Sequence, residues 1–245
     1  MKYAASALVA LCLASGAGAE QATVAVATNF AGTMARLEAV FEGAQAHDLT
    51  VVNGSTGQLY AQIVNGAPYD VFLAADGDRP RRLTEAGLGS GQVTYALGRL
   101  ALWTREPRFA GGVRIGDLTG AEFRRLGIAN PRLAPYGVAA VETLQSLGFW
   151  ESLEKKIVLG ENVGQAFALV ETRNAELGLV ALASALAYEG MATYEPVPAQ
   201  YHGPIRQDAI LLHRGRDNPA AEAFMSFLLS PQARRTIADT GYDLP

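Results

Sequence analysis

The stretch VAVATNF, residues 24–30, ends a run of small apolar residues with two hydrogen-bonding side chains. Its first four residues have the composition of a buried strand, and apolar residues at helical spacing follow from Phe30 onward. Thr28 and Asn29 therefore stand at a predicted junction between a strand and a helix. Taken alone, Thr or Asn at such a junction is usually a helix N-cap. The rest of the chain has to show whether the junction has a second role.

The alternation of strand and helix recurs along the chain. Apolar runs bounded by turn residues predict strands at 24–28, 49–53, 71–74, 126–130, 156–159 and 177–182, with helical patterns between them. Strands that alternate with helices are typical of mostly parallel sheets covered by helices. The chain therefore predicts an α/β protein built from two strand–helix units of one design.

Two segments are predicted to connect these units. Residues 95–103 carry the chain out of the first unit, and residues 205–213 form a strand that carries it back. Two crossings between two lobes imply a hinge. We therefore expect lobe 1 to comprise residues 20–97 and 208–245, and lobe 2 to comprise residues 98–207.

The first 19 residues have the pattern of a secretory signal peptide. Lys2 opens a short basic region, residues 4–13 are apolar, and small residues lead to a cleavage site after Ala19. We therefore expect export to the periplasm, and no later apolar run has the length of a membrane span. The one cysteine, Cys12, lies in this leader, so we expect neither disulfides nor a cysteine nucleophile in the mature chain.

The charge balance argues against nucleic acid as a partner. The formal net charge is −4, and loss of the positive charge of Lys2 takes it to −5. An acidic chain without a basic run does not have the electrostatic signature of a nucleic-acid-binding protein.

Polar residues stand at four predicted strand–helix junctions: 28–29, 55–56, 135–137 and 162–164. Ligands of open α/β sheets bind beyond the carboxyl ends of the strands, where each helix start presents free N–H groups and an effective charge of roughly +0.5. Four starts around one cleft sum to about +2, which suits a dianion. The donors are Thr28, Asn29, Thr56 and Tyr136, and the nearest carboxylate is Glu161. Donors without a cleft acid favour a fully deprotonated oxyanion.

A series of short motifs runs along the chain: ATNF (27–30), GSTG (54–57), YAQI (60–63), NGAPYDVF (65–72), NP (130–131), APYG (134–137), NVGQ (162–165), SPQA (230–233) and GY (241–242). In this order, the set resembles the periplasmic molybdate-binding proteins of ABC importers, over nearly the whole mature chain.

The resemblance implies a type II periplasmic binding protein fold with the ligand between two lobes. It implies molybdate or tungstate as cargo rather than cofactor, held by hydroxyl and backbone N–H groups of Thr28, Asn29, Thr56, Tyr136 and Val163, with no cation site. It further implies an inner-membrane ABC permease as partner, a monomer, and a binding protein rather than an enzyme.

The chain departs from the commoner family pattern at three places. It has Thr28 and Asn29 where that pattern has Ala-Ser, Tyr136 where it has a small residue, and Ala181 where it has a tyrosine. The chain thus resembles a Thr-Asn variant of the family, and the departures leave the individual contacts to the anion open.

Three other functions stay open at this level. Sulfate or another tetrahedral oxyanion differs from molybdate mainly in size, and the sequence does not give the size of the cavity. A hydrolase is disfavoured because GSTG at 54–57 is not a nucleophile elbow and because His47, His202 and His213 stand in no triad or metal motif. In a purely structural exported protein, the polar junctions would be ordinary helix caps.

Overall fold

The computed structural model describes residues 20–120 and 123–245. The predicted signal peptide, with Cys12, lies outside the described residues. None of the helices in the described ranges is both long and apolar enough to cross a membrane.

Ten strands and nine α-helices are found in the described ranges. The strands are β1 (Gln21–Ala27), β2 (Asp48–Gly54), β3 (Val71–Ala74), β4 (Gly89–Gly98), β5 (Leu100–Thr104), β6 (Leu126–Ala129), β7 (Ile157–Gly160), β8 (Leu177–Ala181), β9 (Thr193–Pro196) and β10 (Ile205–Leu212). The helices are α1 (Ala31–Ala44), α2 (Thr56–Val64), α3 (Asp78–Glu85), α4 (Pro135–Ser146), α5 (Trp150–Leu153), α6 (Val163–Glu171), α7 (Leu182–Leu186), α8 (Pro219–Leu228) and α9 (Pro231–Asp239).

The strands form two five-stranded sheets of matching design. The first has the order β2-β1-β3-β10-β4 and the second the order β7-β6-β8-β5-β9. In each sheet the first three strands are parallel to one another. The fourth strand, β10 or β5, is antiparallel to both of its neighbours. Four strands of each sheet therefore point the same way, which agrees with the predicted two-lobed, mostly parallel α/β fold.

The alternation of side chains along the strands explains why helices cover both faces of the first sheet. In β1, Val24 and Val26 pack in the core formed with α1, α8 and α9, whereas Ala25 packs in the core formed with α2 and α3. Strand β3 is buried at every position. A strand buried on both faces reads as a continuous apolar run, which is what the sequence shows.

The two lobes are joined where a strand of one sheet is followed in the chain by a strand of the other. Only Arg99 separates β4 of the first sheet from β5 of the second, so the single connector predicted at 95–103 is two strands that meet there. The returning strand begins at Ile205 and lies wholly in the first sheet. The lobe limits given above stay a prediction.

One predicted loop is wrong. The turn residues after the strand at 126–130 predict a loop at 131–136 before the next helix, but α4 begins at Pro135 and includes Tyr136. Proline suits the first position of a helix because its missing N–H would have no partner there. The short elements α3, α5, α7 and β9 were not predicted, because they are too short for their periodicity to stand out.

Close packing of α4 against β6 yields a stability prediction. A Cβ atom at Gly137 would lie 2.3 Å from the carbonyl oxygen of Ala129, whereas a Cβ at Gly32 in α1 would meet nothing within 4 Å. We expect Gly137→Ala to lower the free energy of unfolding by about 1–3 kcal/mol, because the backbone cannot yield freely. Gly32→Ala, the matched control, should be neutral or stabilising by up to about 1 kcal/mol.

Urea unfolding followed by circular dichroism measures both changes. Equal stability of the two variants would contradict the close packing of α4 against β6.

Candidate functional site

The structure places all four predicted junctions at helix starts that follow parallel strands. A 3₁₀ turn, Thr28–Phe30, follows β1 and leads into α1. Thr56 is the first residue of α2 and Val163 the first residue of α6. Tyr136 is the second residue of α4. All four therefore lie at the carboxyl edges of their sheets, where α/β proteins bind ligands.

Contacts across the lobes bring these edges together. The backbone N–H of Gly57, in the first turn of α2, donates to the carbonyl oxygen of Leu133, just before α4, at 2.8 Å. A Cβ built at Gly164, in the first turn of α6, would lie 3.6 Å from Cβ of Thr28. Each lobe-1 junction thus faces a lobe-2 junction, and the lobes are in a closed arrangement.

The start of α2 assigns different tasks to Ser55 and Thr56. The Ser55 hydroxyl accepts from the backbone N–H of Gln58 at 3.2 Å. The same hydroxyl donates its proton to the side-chain Oε1 of Gln58 at 2.9 Å. Ser55 is therefore fully used by the helix cap. The hydroxyl of Thr56, 1% exposed, accepts from the N–H of Ala75 at 3.1 Å and keeps its own proton to donate.

The start of α6 offers backbone donors only. The side-chain Oδ1 of Asn162 accepts from the N–H of Gln165 at 2.9 Å, and the backbone carbonyl oxygen of Asn162 accepts from the N–H of Ala166. The first N–H groups of a helix have no acceptor within that helix. Val163, which is 3% exposed and has no polar side chain, can therefore serve a ligand only through its N–H.

Tyr136 carries a buried hydroxyl without a hydrogen-bond partner in the described part of the chain. The side chain is 2% exposed, and burial raises the pKa of its hydroxyl well above 10, with the nearby Tyr242 hydroxyl adding to the shift. Leaving a buried polar group unpaired costs about 1–3 kcal/mol. The unpaired hydroxyl is therefore a candidate donor to a ligand, and it lies beside the end of β4, where a Cβ atom built at Gly98 would be 2.3 Å from it.

The side chain of Asn29 is bonded within the protein and has no amide proton left for a ligand. Its amide nitrogen donates to Oε1 of Gln207 at 2.7 Å and to the hydroxyl of Tyr242 at 3.1 Å, which uses both amide protons. Neither Thr28 nor Asn29 caps a helix through its side chain, so the N-cap interpretation of this junction is wrong. Asn29 stays a predicted ligand contact through its backbone N–H.

Sequence reasoning missed Gln207 as a partner of Asn29 and noted Tyr242 only as part of a motif. Both are buried, at 0% and 4% exposure, and they lie 178 and 213 residues from Asn29 in the chain. No local pattern reports contacts at such separations, and Gln207 stands between Arg206 and Asp208 in the polar first half of β10, where the sequence does not mark it as buried.

Carboxylates stay at the edge of the arrangement. Glu161 is exposed and accepts from Nε2 of Gln58 at 3.2 Å across the lobes. The described residues include no group of three or more His, Cys, Asp or Glu side chains arranged to hold a metal ion. The chemistry on offer is therefore hydrogen-bond donation by hydroxyl and N–H groups.

Two α/β lobes, two crossings between them and helix starts that face one another across the cleft define the class of two-lobed solute-binding proteins. A family model described as bacterial extracellular solute-binding protein matches residues 22–243.

Relatives of known function agree with this class. The chain is 43% identical over 242 residues to the molybdate-binding protein ModA of Azotobacter vinelandii. The alignment covers 95% of this chain and 93% of the relative. It is also 38% identical over 235 residues to ModA of Rhodobacter capsulatus. That alignment covers 94% of this chain and 91% of the relative. The solved structure of the Azotobacter vinelandii periplasmic molybdate-binding protein matches with a TM-score of 0.84 at 38% identity, over 91% of this chain and 99% of that one.

The chain therefore belongs to the bacterial extracellular solute-binding protein family. The predicted type II periplasmic binding protein fold is confirmed, and so is the resemblance to molybdate-binding proteins.

Three buried tyrosines give a prediction for alkaline titration. Burial, as the largest cause, raises the pKa of the hydroxyls of Tyr95, Tyr136 and Tyr242 above the usual value of about 10. Their protons are retained in the folded state while the unfolded chain loses them, so the free energy of unfolding falls as pH rises through about 10. Ultraviolet phenolate absorbance measures this.

At about pH 10.5, native Tyr136→Phe should give the same phenolate absorbance as the native wild type. In urea, the absorbance of the variant should be lower than that of the unfolded wild type by the contribution of one tyrosine. A smaller native signal in the variant would show that Tyr136 ionises in the fold and would contradict its burial.

Proposed function

We propose that this protein captures molybdate or tungstate between its two lobes and delivers the anion to an inner-membrane ABC permease. The proposal rests on relatives that are molybdate-binding proteins. The observation that carries it is the meeting of helix starts from the two lobes, α2 with the segment before α4 and α6 with the Thr28–Phe30 turn, whose first N–H groups have no acceptor within their own helices.

We propose that the five contacts expected from the sequence hold the anion in different ways. Thr56 donates its hydroxyl proton, because its lone pair already accepts from Ala75. Val163 and Asn29 contribute backbone N–H groups, since Val163 has no polar side chain and the amide protons of Asn29 are used elsewhere. Thr28 and Tyr136 contribute hydroxyl and backbone donors.

An array of donors without charged side chains suits a dianion. Each helix start contributes roughly half an effective positive charge, and each hydrogen bond to a charged ligand contributes about 1.5–3 kcal/mol. Every contact named above donates, so an anion that still carries a proton would find no acceptor for it. This favours fully deprotonated tetrahedral oxyanions.

The remaining parts of the proposal concern the whole molecule. Residues 1–19 direct export to the periplasm and are removed after Ala19. Residues 20–97 and 208–245 form lobe 1, and residues 98–207 form lobe 2. The protein acts as a monomer, binds no nucleic acid, needs no cofactor or cation, and catalyses no reaction; molybdate is its cargo.

Thermal melting with a panel of anions tests the function. Molybdate and tungstate at about 100 times the dissociation constant should each stabilise the folded state by about 2.7 kcal/mol, because they bind only the folded protein. Sulfate and phosphate at the same concentration are the controls for other tetrahedral anions. A stabilisation by sulfate larger than that by molybdate would make the protein a sulfate receptor, and the absence of any effect of molybdate and tungstate would refute the proposal.

Removal of single hydroxyl groups tests the site. Thr56→Ala and Tyr136→Phe each delete one donor to the anion, so each should raise the dissociation constant for molybdate about ten- to a hundredfold. Isothermal titration calorimetry measures the change. Ligand-free Tyr136→Phe should melt near the wild type, since the Tyr136 hydroxyl has no partner among the described residues. Ligand-free Thr56→Ala should melt at a lower temperature, because the buried N–H of Ala75 loses its acceptor.

Thr56→Ser keeps the hydroxyl and is the matched control, which should bind nearly as well as the wild type. Wild-type affinity in both Thr56→Ala and Tyr136→Phe would show that the anion is held elsewhere.

A further inference from the structure

Residues 240–243, here called the strap, lie across lobe 1 behind the candidate site. The hydroxyl of Thr33 in α1 donates to that of Thr240 at 2.9 Å. Leu97 and Asp243 exchange two backbone hydrogen bonds, of 2.8 and 3.0 Å. The strap is therefore fixed to β4 two residues before Arg99, where the chain crosses into lobe 2.

The strap also packs against lobe 2. Gly241 has a φ of +94°, in the left-handed region that favours glycine, and a Cβ atom there would lie 2.5 Å from Cδ1 of Leu186 in α7. Helix α7 itself follows β8 of the second sheet. The strap thus contacts both lobes close to the crossing.

Tyr242, the third residue of the strap, contacts the Thr28–Phe30 turn that follows β1. Its hydroxyl donates to the carbonyl oxygen of Asn29 at 2.6 Å and accepts from the Asn29 amide nitrogen at 3.1 Å. Its ring packs edge-to-face on Phe30 with centroids 5.2 Å apart. Two residues of the Thr28–Phe30 turn are therefore held by one side chain.

The same hydroxyl lies beside lobe 2. A Cβ atom built at Gly98, at the end of β4, would lie 2.3 Å from the hydroxyl of Tyr136 and 3.0 Å from Nε2 of Gln207, so Tyr136 of α4 borders the group that Tyr242 forms with Asn29. Gln207 of the returning strand β10 completes the group by accepting from Asn29.

We propose that Tyr242 is a positioning residue for the anion site: it fixes the Thr28–Phe30 turn so that its donors face the cleft, and it aligns that turn with the start of α4 in lobe 2. This inference rests on the proposed function, because it assigns Tyr242 a part in holding the anion that Thr28, Asn29 and Tyr136 contact.

Tyr95 shows what packing alone would look like. Its ring also lies edge-to-face on Phe30, with centroids 5.0 Å apart, and it is 1% exposed. Its hydroxyl, however, has no hydrogen-bond partner within the described residues. Tyr95→Phe therefore removes a buried hydroxyl from the same aromatic cluster without releasing the turn, which makes it the matched control for Tyr242→Phe.

The experiment compares molybdate binding by the wild type, Tyr242→Phe and Tyr95→Phe, using calorimetry for affinity and urea unfolding of the ligand-free proteins for stability. We expect Tyr242→Phe to raise the dissociation constant about tenfold, since donors of the turn lose their fixed direction. Tyr95→Phe should leave it within about twofold of wild type.

Amide hydrogen exchange in the ligand-free proteins separates positioning from general stability. Exchange at Thr28–Phe30 should become faster in Tyr242→Phe while the buried strand β3 exchanges as in the wild type. Equal acceleration at both places would mean a merely structural role and would overturn the inference.

The two proposals fail differently. Failure of the wild-type protein to bind molybdate would overturn the proposed function. Wild-type binding together with an unchanged affinity in Tyr242→Phe would overturn only the role of Tyr242.

Discussion

The structure depends on a simple property of helices: their first N–H groups have no acceptor within the helix. Four helix starts meet at the carboxyl edges of two facing sheets, so several donors are concentrated in one cleft. Some are satisfied internally, as at Gln58 and Gln165. The N–H of Gly57 donates across the lobes to Leu133, and the N–H groups of the first residues, as at Val163, have no acceptor within their own helices. A small anion with acceptor oxygens on every side is the ligand that such an array satisfies.

Satisfying the helix caps internally is what leaves the other donors free. Ser55 and Asn162 cap α2 and α6, so neighbouring Thr56 and Val163 do not have to. The cap residue thus fixes the helix start, and the residue after it is the one proposed to bind the ligand. Tyr136 follows a different route, because Pro135 at the first position of α4 has no N–H that needs a cap.

Local sequence patterns were sufficient for most of the fold and for the four helix starts that form the candidate site. Strand β3 was predicted at residues 71–74, where the structure has it, because a short apolar run between polar turns has few alternatives. The four junctions were found by the same reasoning. The N-cap interpretation of Thr28 and Asn29 failed because Asn29 bonds to Gln207 and Tyr242, far away in the chain. Such contacts depend on how the lobes pack, which periodicity does not encode.

X-ray diffraction at the molybdenum absorption edge, from crystals grown with molybdate, tests the central claim most directly. The account predicts one anomalous peak between the Thr28–Phe30 turn and the starts of α2, α4 and α6, close enough to the Thr56 hydroxyl for an oxygen of the molybdate to accept its hydrogen bond. A peak outside the cleft, or molybdate held by charged side chains instead of helix starts, would contradict it.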